Sequence, residues 1–250
     1  VTKQLAEIRH LTAVGVGPGD PELITVKGLK ALQAADIVFV PQSRDGNKSL
    51  AWRIVADYID QSRQEVVSLL LPMTRNPREL VPAWEAAVDV IEGKLSAERP
   101  LGVYVLLGDP LLYGSFMYIW ERLNENGLGP DVQVEIVPGV TSFAATAAAT
   151  QTVLSMTHER VAILPASYET IANLKQMFET FETVILLKAG TVLPQLLETL
   201  EQLDLLDHAV YGERVGMPEE VVVTDVRQLL GQKRPYLSLL IVNKRINEMF

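Results

Sequence analysis

Two α/β domains are what this 250-residue sequence predicts, the first with a mostly parallel sheet and crossover helices, the second with a mixed sheet. Three observations lead there. Strand-like and helix-like segments alternate through the first half of the chain. Pro138 and Gly139 stop a strand, and a fresh alternation begins after them. The last third is rich in short β-type runs with little helix, which points to antiparallel members. The predicted division is 1–138 and 139–250.

The elements follow in order. Leu11 to Val16 is a short apolar run of β type, Glu22 to Ala35 carries apolar residues at helical spacing, and Ile37 to Val40 is β-type again. Ser49 is placed to cap a helix whose apolar face is Leu50, Ile54, Val55 and Tyr58. Val66 to Leu71 makes a third strand. Pro82 suits the first turn of a helix carrying Trp84, Val88 and Ile91, and Leu101 to Leu107 is a fourth strand. A helix over Phe116 to Leu123 leads through a loop at Gly127, Gly129 and Pro130 to the strand Val132 to Val137. In the second half come an Ala-rich helix from Thr141, a strand Val161 to Leu164, a helix after Ser167, a strand Thr183 to Leu187 and a helix through Leu193, Leu197 and Leu200. Val210 to Val215, Val221 to Val223 and Tyr236 to Val242 are the β-rich remainder, with a short helix near Val226 to Leu230.

Composition narrows the function. The net charge is −9 and the isoelectric point near 4.9, which argues against general nucleic-acid binding. A small anionic substrate stays compatible, because a local cluster of cations overrules net charge at short range. Cysteine is absent and only three histidines are present, so thiolate chemistry is excluded and no protein-held metal is expected. No apolar run reaches the roughly 20 residues of a membrane helix, and Val1 to His10 lacks the apolar core of a signal peptide. The chain reads as cytoplasmic.

Three stretches can carry chemistry. Gly15-Val16-Gly17-Pro18-Gly19-Asp20 lies where the first strand meets the first helix, but Asp20 stands where a dinucleotide fingerprint needs its third glycine. That disfavours NAD, and Asp20 reads equally well as a helix cap. Val105-Leu106-Leu107-Gly108-Asp109-Pro110-Leu111-Leu112-Tyr113-Gly114 is a strand running into a turn at its carboxyl end, where open α/β sheets place ligands. Pro138-Gly139-Val140-Thr141-Ser142 is a strand stop followed by hydroxyls at a helix start, able to cap the helix or to bind a ligand. Arg44 and Lys48 after the second strand, Lys188 after the seventh and Arg214 near the eighth follow strands, a placement that suits carboxylate binding.

In their order and spacing these stretches resemble the motifs of the tetrapyrrole methylases. Val40-Pro41-Gln42-Ser43, Ser49-Leu50-Ala51, Leu71-Pro72-Met73, Leu107-Gly108-Asp109-Pro110 and Pro235-Tyr236-Leu237-Ser238 resemble the branch that methylates C-20 of precorrin-2 or its cobalt form. The likeness runs from about Leu11 to Val242. It implies a homodimer of chains with two α/β domains, S-adenosylmethionine in the cleft between them and the tetrapyrrole on the side of the first. By motif position the cofactor is expected at Pro18, Leu107, Gly108, Asp109, Leu112, Thr141, Ser142, Leu187, Arg214, Val215, Leu239 and Leu240. Many relatives carry Met where this chain has Leu187, so a backbone contact there is expected rather than a side-chain one.

A polycarboxylate ring as substrate gives Arg44, Lys48 and Lys188 the task of pairing with its side chains. Methyl transfer from a sulfonium is an in-line displacement that depends on positioning in a dry cleft. Asp20 is the expected aid to proton loss from C-20, and Tyr113 the second choice. Asp109 is expected to orient the cofactor rather than act as a base. Two other readings are a methyltransferase of the diphthine synthase type acting on a protein, and a cofactor-binding regulatory module without catalysis.

Overall fold

The apolar runs of the first half form one five-stranded sheet, entirely parallel, in the computed structural model, which describes residues 9–43, 49–72, 74, 76–125 and 132–246. The chain divides into two units, Val1–Thr141 and Ser142–Phe250. No helix among the described residues is long and apolar enough to cross a membrane.

In the first unit, β1 (Arg9–Gly15) leads through a short 3-10 turn, Pro21–Leu23, to α1 (Val26–Ala34) and β2 (Ile37–Gln42). The single helix expected over 22–35 is therefore two pieces. Asp20 caps the 3-10 turn by accepting the Glu22 N–H at 2.8 Å, whereas Thr25 caps α1 through Gly28 N–H at 3.0 Å. Ile24 sits between them in extended backbone, which breaks the helical ladder. Ser49 caps α2 (Leu50–Val55) as expected, accepting the Ala51 N–H at 3.2 Å. β3 (Glu65–Leu70) precedes α3 (Pro77–Lys94). Here the helix starts five residues earlier than Pro82 suggests. Asn76 is the cap and Pro77 takes the first turn, where a missing N–H costs nothing; Pro82 lies inside the helix. β4 (Leu101–Leu106), α4 (Phe116–Glu125) and β5 (Val132–Val137) complete the unit.

The strand order is β3-β2-β4-β1-β5. Leu32, Trp52 and Ile54 from α1 and α2 pack with Val14, Val38 and Val105 on one face, and Val88, Ile91, Phe116 and Ile119 from α3 and α4 pack with Leu11, Phe39 and Tyr104 on the other. Alternate residues of the inner strands β1, β2 and β4 thus serve opposite cores, which is why these strands read as largely apolar runs, whereas the edge strands β3 and β5 carry exposed polar residues. The topology also locates a ligand crevice. β1 and β4 are neighbours, yet the chain leaves them toward opposite faces, to α1 and α4, so their carboxyl ends form a switch point.

The second unit opens with α5 (Ser142–Ala149), then β6 (Val161–Pro165), α6 (Tyr168–Ala172), α7 (Leu174–Thr180), β7 (Thr183–Leu187), α8 (Leu193–Gln202), β8 (Ala209–Glu213), β9 (Val221–Val223) and β10 (Ser238–Asn243). Its sheet runs β6-β7-β10-β8-β9, with β6 and β7 parallel and β10 antiparallel to both of its neighbours. Leu174, Phe178, Leu196, Leu197 and Leu200 cover one face with Val184, Leu186, Tyr211 and Leu240. Thr146 of α5 lies against Gly212 on the other, where an added Cβ would come within 2.6 Å of the threonine methyl. The eighth strand is shorter than expected, ending at Glu213, because Arg214 turns out of the ladder at φ +49°.

Candidate active site

In the first unit, three glycines meet at the carboxyl ends of β1, β4 and β5. A Cβ on Gly15 would lie 2.5 Å from the Gly108 carbonyl oxygen and 2.7 Å from Gly139 N, and one on Gly139 would collide with that same oxygen. Only hydrogen fits at this junction. Gly108 N–H donates to Gly17 O at 2.8 Å, tying the loops after β4 and β1 together. Gly17 and Gly108 hold φ of +83° and +71°, values that glycine adopts without strain. The side of Gly108 where a Cβ would sit meets no atom within 4 Å, so its backbone faces open space in which a ligand can approach.

Asp109 explains how this junction is held. Its Oδ1 accepts the Leu111 N–H at 2.9 Å and its Oδ2 the Gly139 N–H at 3.0 Å, so one carboxylate ties the β4 turn to the end of β5. Sequence reasoning named Asp109 but missed this task, since Gly139 lies 30 residues away. Leu107 is half-buried, Pro18 buried, and Leu112 half-buried in the same turn. Tyr113 is 50% exposed and left-handed at φ +55°, with Gly114 behind it packed too closely on Pro110 for a side chain. Asp20 follows Gly19 in the loop after β1, and one of its oxygens is occupied by the capping bond. Thr141 ends the first unit and Ser142 begins α5 of the second. Arg44 and Lys48 lie outside the described residues.

In the second unit, the expected residues gather at one end of the sheet. Leu187 at the end of β7 pairs with Leu239 of β10, and Ser238 pairs with Glu213 at the end of β8. Lys188 and Arg214, each just past its strand, are left-handed at φ +61° and +49°. Among the described residues six non-glycine residues have positive φ, and Tyr113, Lys188 and Arg214 are three of them. Such conformations cost energy and cluster at functional sites. Val215 is 6% exposed and Leu240 fully buried in the α6–α8 core, so Leu240 offers a ligand no side chain. Leu187 and Leu239 fall outside that core cluster. The Lys188 ammonium lies over the Tyr236 ring, 5.5 Å from its centre. Burial pushes the Tyr211 phenol up to about 12, which keeps it a neutral donor toward Glu213. A groove of about 330 Å³ lined by Met156, His158, Glu159, Glu182 and Arg245 contains none of the expected residues and lies by the opposite strand ends, next to Thr183. Among the described residues no cluster of histidine and carboxylates is arranged to hold a metal.

A parallel α/β sheet whose switch point ends in closely packed glycines, followed by a mixed-sheet unit with left-handed strand ends, is the architecture of an α/β protein that takes its ligand at the carboxyl ends of its strands. The chain belongs to the tetrapyrrole (corrin/porphyrin) methylases, whose family pattern it matches over residues 10–230. It is 33% identical to a probable cobalt-precorrin-2 C(20)-methyltransferase of Methanocaldococcus jannaschii, with 95% of this chain and 97% of that one covered. It is 29% identical to the precorrin-2 C(20)-methyltransferase of a Sinorhizobium species, covering 94% and 95%. Among solved structures it resembles a cobalt precorrin-4 methyltransferase at 25% identity and a TM-score of 0.68, covering 95% and 96% of the two chains.

Proposed function

We propose that this chain transfers one methyl group from S-adenosylmethionine to C-20 of precorrin-2 or its cobalt form. The observation that carries the proposal is similarity along nearly the whole chain, at 29–33% identity, to relatives named for that reaction on both the metal-free and the cobalt-bearing ring. The open face of Gly108 supports a ligand that needs close backbone approach, and the residues present fit the cofactor there. A likeness in fold to a uroporphyrin-III C-methyltransferase from Thermus thermophilus, solved with S-adenosyl homocysteine, is in keeping with this, at a TM-score of 0.67.

When bound, the cofactor supplies an electrophilic methyl on a sulfonium. In this reading Pro18, Leu107, Gly108 and Leu112 hold it by backbone and apolar contact, and Asp109 acts by fixing the Gly108 and Gly139 backbones. Thr141, Ser142, Leu187, Arg214, Val215 and Leu239 are the remaining proposed contacts, with Leu240 limited to its backbone. The chain's task is positioning, which supplies up to roughly 7–11 kcal/mol of barrier reduction in favourable cases. Carbon C-20 forms its new bond to the methyl as the carbon–sulfur bond breaks with its electrons left on sulfur, and the C-20 proton then departs. Asp20, with Tyr113 as the alternative, is proposed to assist that departure. Lys188 is proposed to meet a substrate carboxylate from its place on Tyr236, and the working form is proposed to be a homodimer.

The test supplies methyl-labelled S-adenosylmethionine with metal-free precorrin-2 and, separately, with the cobalt form. One labelled methyl at C-20, located by NMR, supports the proposal and names the substrate; label at another carbon, or none with either ring, overturns it.

A further inference from the structure

One end of the second unit's sheet is bound together by a charge cluster, built on a buried carboxylate, that methyl transfer itself does not use. Glu213, the last residue of β8, is 4% exposed. Its Oε2 accepts the Tyr211 hydroxyl at 2.7 Å and the Arg234 Nε–H at 2.8 Å, and Arg234 Nη2 lies 2.8 Å from the same oxygen. Arg234 opens a four-residue strap, 234–237, that runs into β10. The strap lies on Gly190, just after β7, so tightly that a Cβ there would come within 2.6 Å of the Pro235 carbonyl carbon. Farther along, Tyr236 lies under the Lys188 ammonium, and Leu237 O accepts the Arg214 N–H at 3.0 Å. The strap therefore touches both left-handed corners, Lys188 and Arg214. Corners of that kind persist only where their surroundings over-determine them. With the Glu213 carboxylate buried and the Arg234 side chain 23% exposed, the pair is a poor source of stability compared with apolar packing, so its presence calls for another use.

We propose that Glu213 and Arg234 are positioning residues for S-adenosylmethionine: their pair, steadied by Tyr211, locks the strap and through it the corners at Lys188 and Arg214, so that cofactor affinity depends on it and the methyl-transfer step does not. The inference rests on the proposed function, which gives Leu187, Arg214, Val215 and Leu239 to the cofactor.

The test uses the full chain with Arg234→Met, Arg234→Lys and Tyr211→Phe, and measures the dissociation constant for S-adenosyl homocysteine by calorimetry, both KM values, kcat and the melting temperature. Arg234→Met is expected to raise the dissociation constant and the KM for S-adenosylmethionine about tenfold or more, with kcat at saturation changed less than about threefold. Arg234→Lys keeps the charge and should restore part of the affinity. Should Arg234→Met fail to fold, Tyr211→Phe and Arg234→Lys carry the test, each expected to weaken binding about three- to tenfold. Unchanged affinity in the folded variants, even with a lowered melting temperature, overturns the proposal, as does a fall in kcat with both KM values intact. Failure of the unsubstituted chain to bind S-adenosyl homocysteine would instead overturn the proposed cofactor, and this inference with it.

Discussion

Replacing Asp109 by Asn separates a carboxylate that holds the glycine junction from one that touches the cofactor. The aspartate accepts two backbone N–H groups, from Leu111 at 2.9 Å and Gly139 at 3.0 Å. An asparagine has one carbonyl oxygen and an amide that only donates, so it satisfies one of these and turns a donor toward the other. Leaving a buried N–H unsatisfied costs about 1–3 kcal/mol, and at this half-buried position the lower part of the range applies, about 1–2 kcal/mol. For a chain of this size that is a fall in melting temperature of about 2–8 °C. If the Gly139 end moves, Gly108 moves with it, and affinity for S-adenosyl homocysteine should fall by up to about tenfold. Calorimetry of unfolding and of ligand binding on the same preparations reads both. An unchanged melting temperature together with lost binding would refute the reasoning, because the carboxylate would then be acting on the ligand and not on the scaffold.

Gly139→Ala forces a methyl against the Gly108 carbonyl oxygen, so it should destabilise the first unit by about 1–3 kcal/mol, seen as a lower urea midpoint; a midpoint equal to wild type would mean the junction is looser than its geometry. Asp20→Asn keeps an oxygen for the Glu22 N–H, so stability should hold while turnover falls about tenfold or more if the carboxylate assists proton loss. Unchanged turnover with normal cofactor affinity would reduce Asp20 to a cap. Glu182, bonded through its side chain to the Arg160 guanidinium and also to its backbone N–H, has its carboxyl held down from 4.5 to about 2. A depressed pKa in the folded state means the contribution is present above 4.5 and is lost as pH falls toward 2. The melting-temperature gap between wild type and Glu182→Gln should therefore be widest above 4.5 and close toward 2; a gap independent of pH would show that the pair contributes nothing through its charge.

What the sequence discloses and what it hides divide along physical lines. Strands buried on both faces announce themselves as apolar runs, and a cap such as Ser49 is a local side-chain-to-backbone bond that short-range reading finds. Pro82 misled because two prolines compete for one helix start, and the decision lies with Asn76, whose cap precedes Pro77. The bond from Asp109 to Gly139 and the cluster of Tyr211, Glu213 and Arg234 were not legible, since each depends on segments brought together by the sheet order. Nor does anything in their residue types mark Lys188 or Arg214 as left-handed. The glycine motifs were legible as motifs, and only the packing of Gly15 and Gly139 against the Gly108 carbonyl reveals that the role of those two is to lack a side chain.

The placing of β10 has a consequence for how the protein is made. It is the last described strand, yet it occupies the middle of the second sheet, with β7 and β8 on its two sides. Until residues 238–243 have emerged during synthesis, the growing chain carries two half-sheets with bare facing edges, each an invitation to pair with a neighbouring chain. Closure of that seam couples the far end of the message to the first moment at which Leu187, Arg214 and Leu239 can lie side by side, so a ribosome that stalls shortly before Ser238 leaves a product prone to aggregate rather than a slightly shortened enzyme.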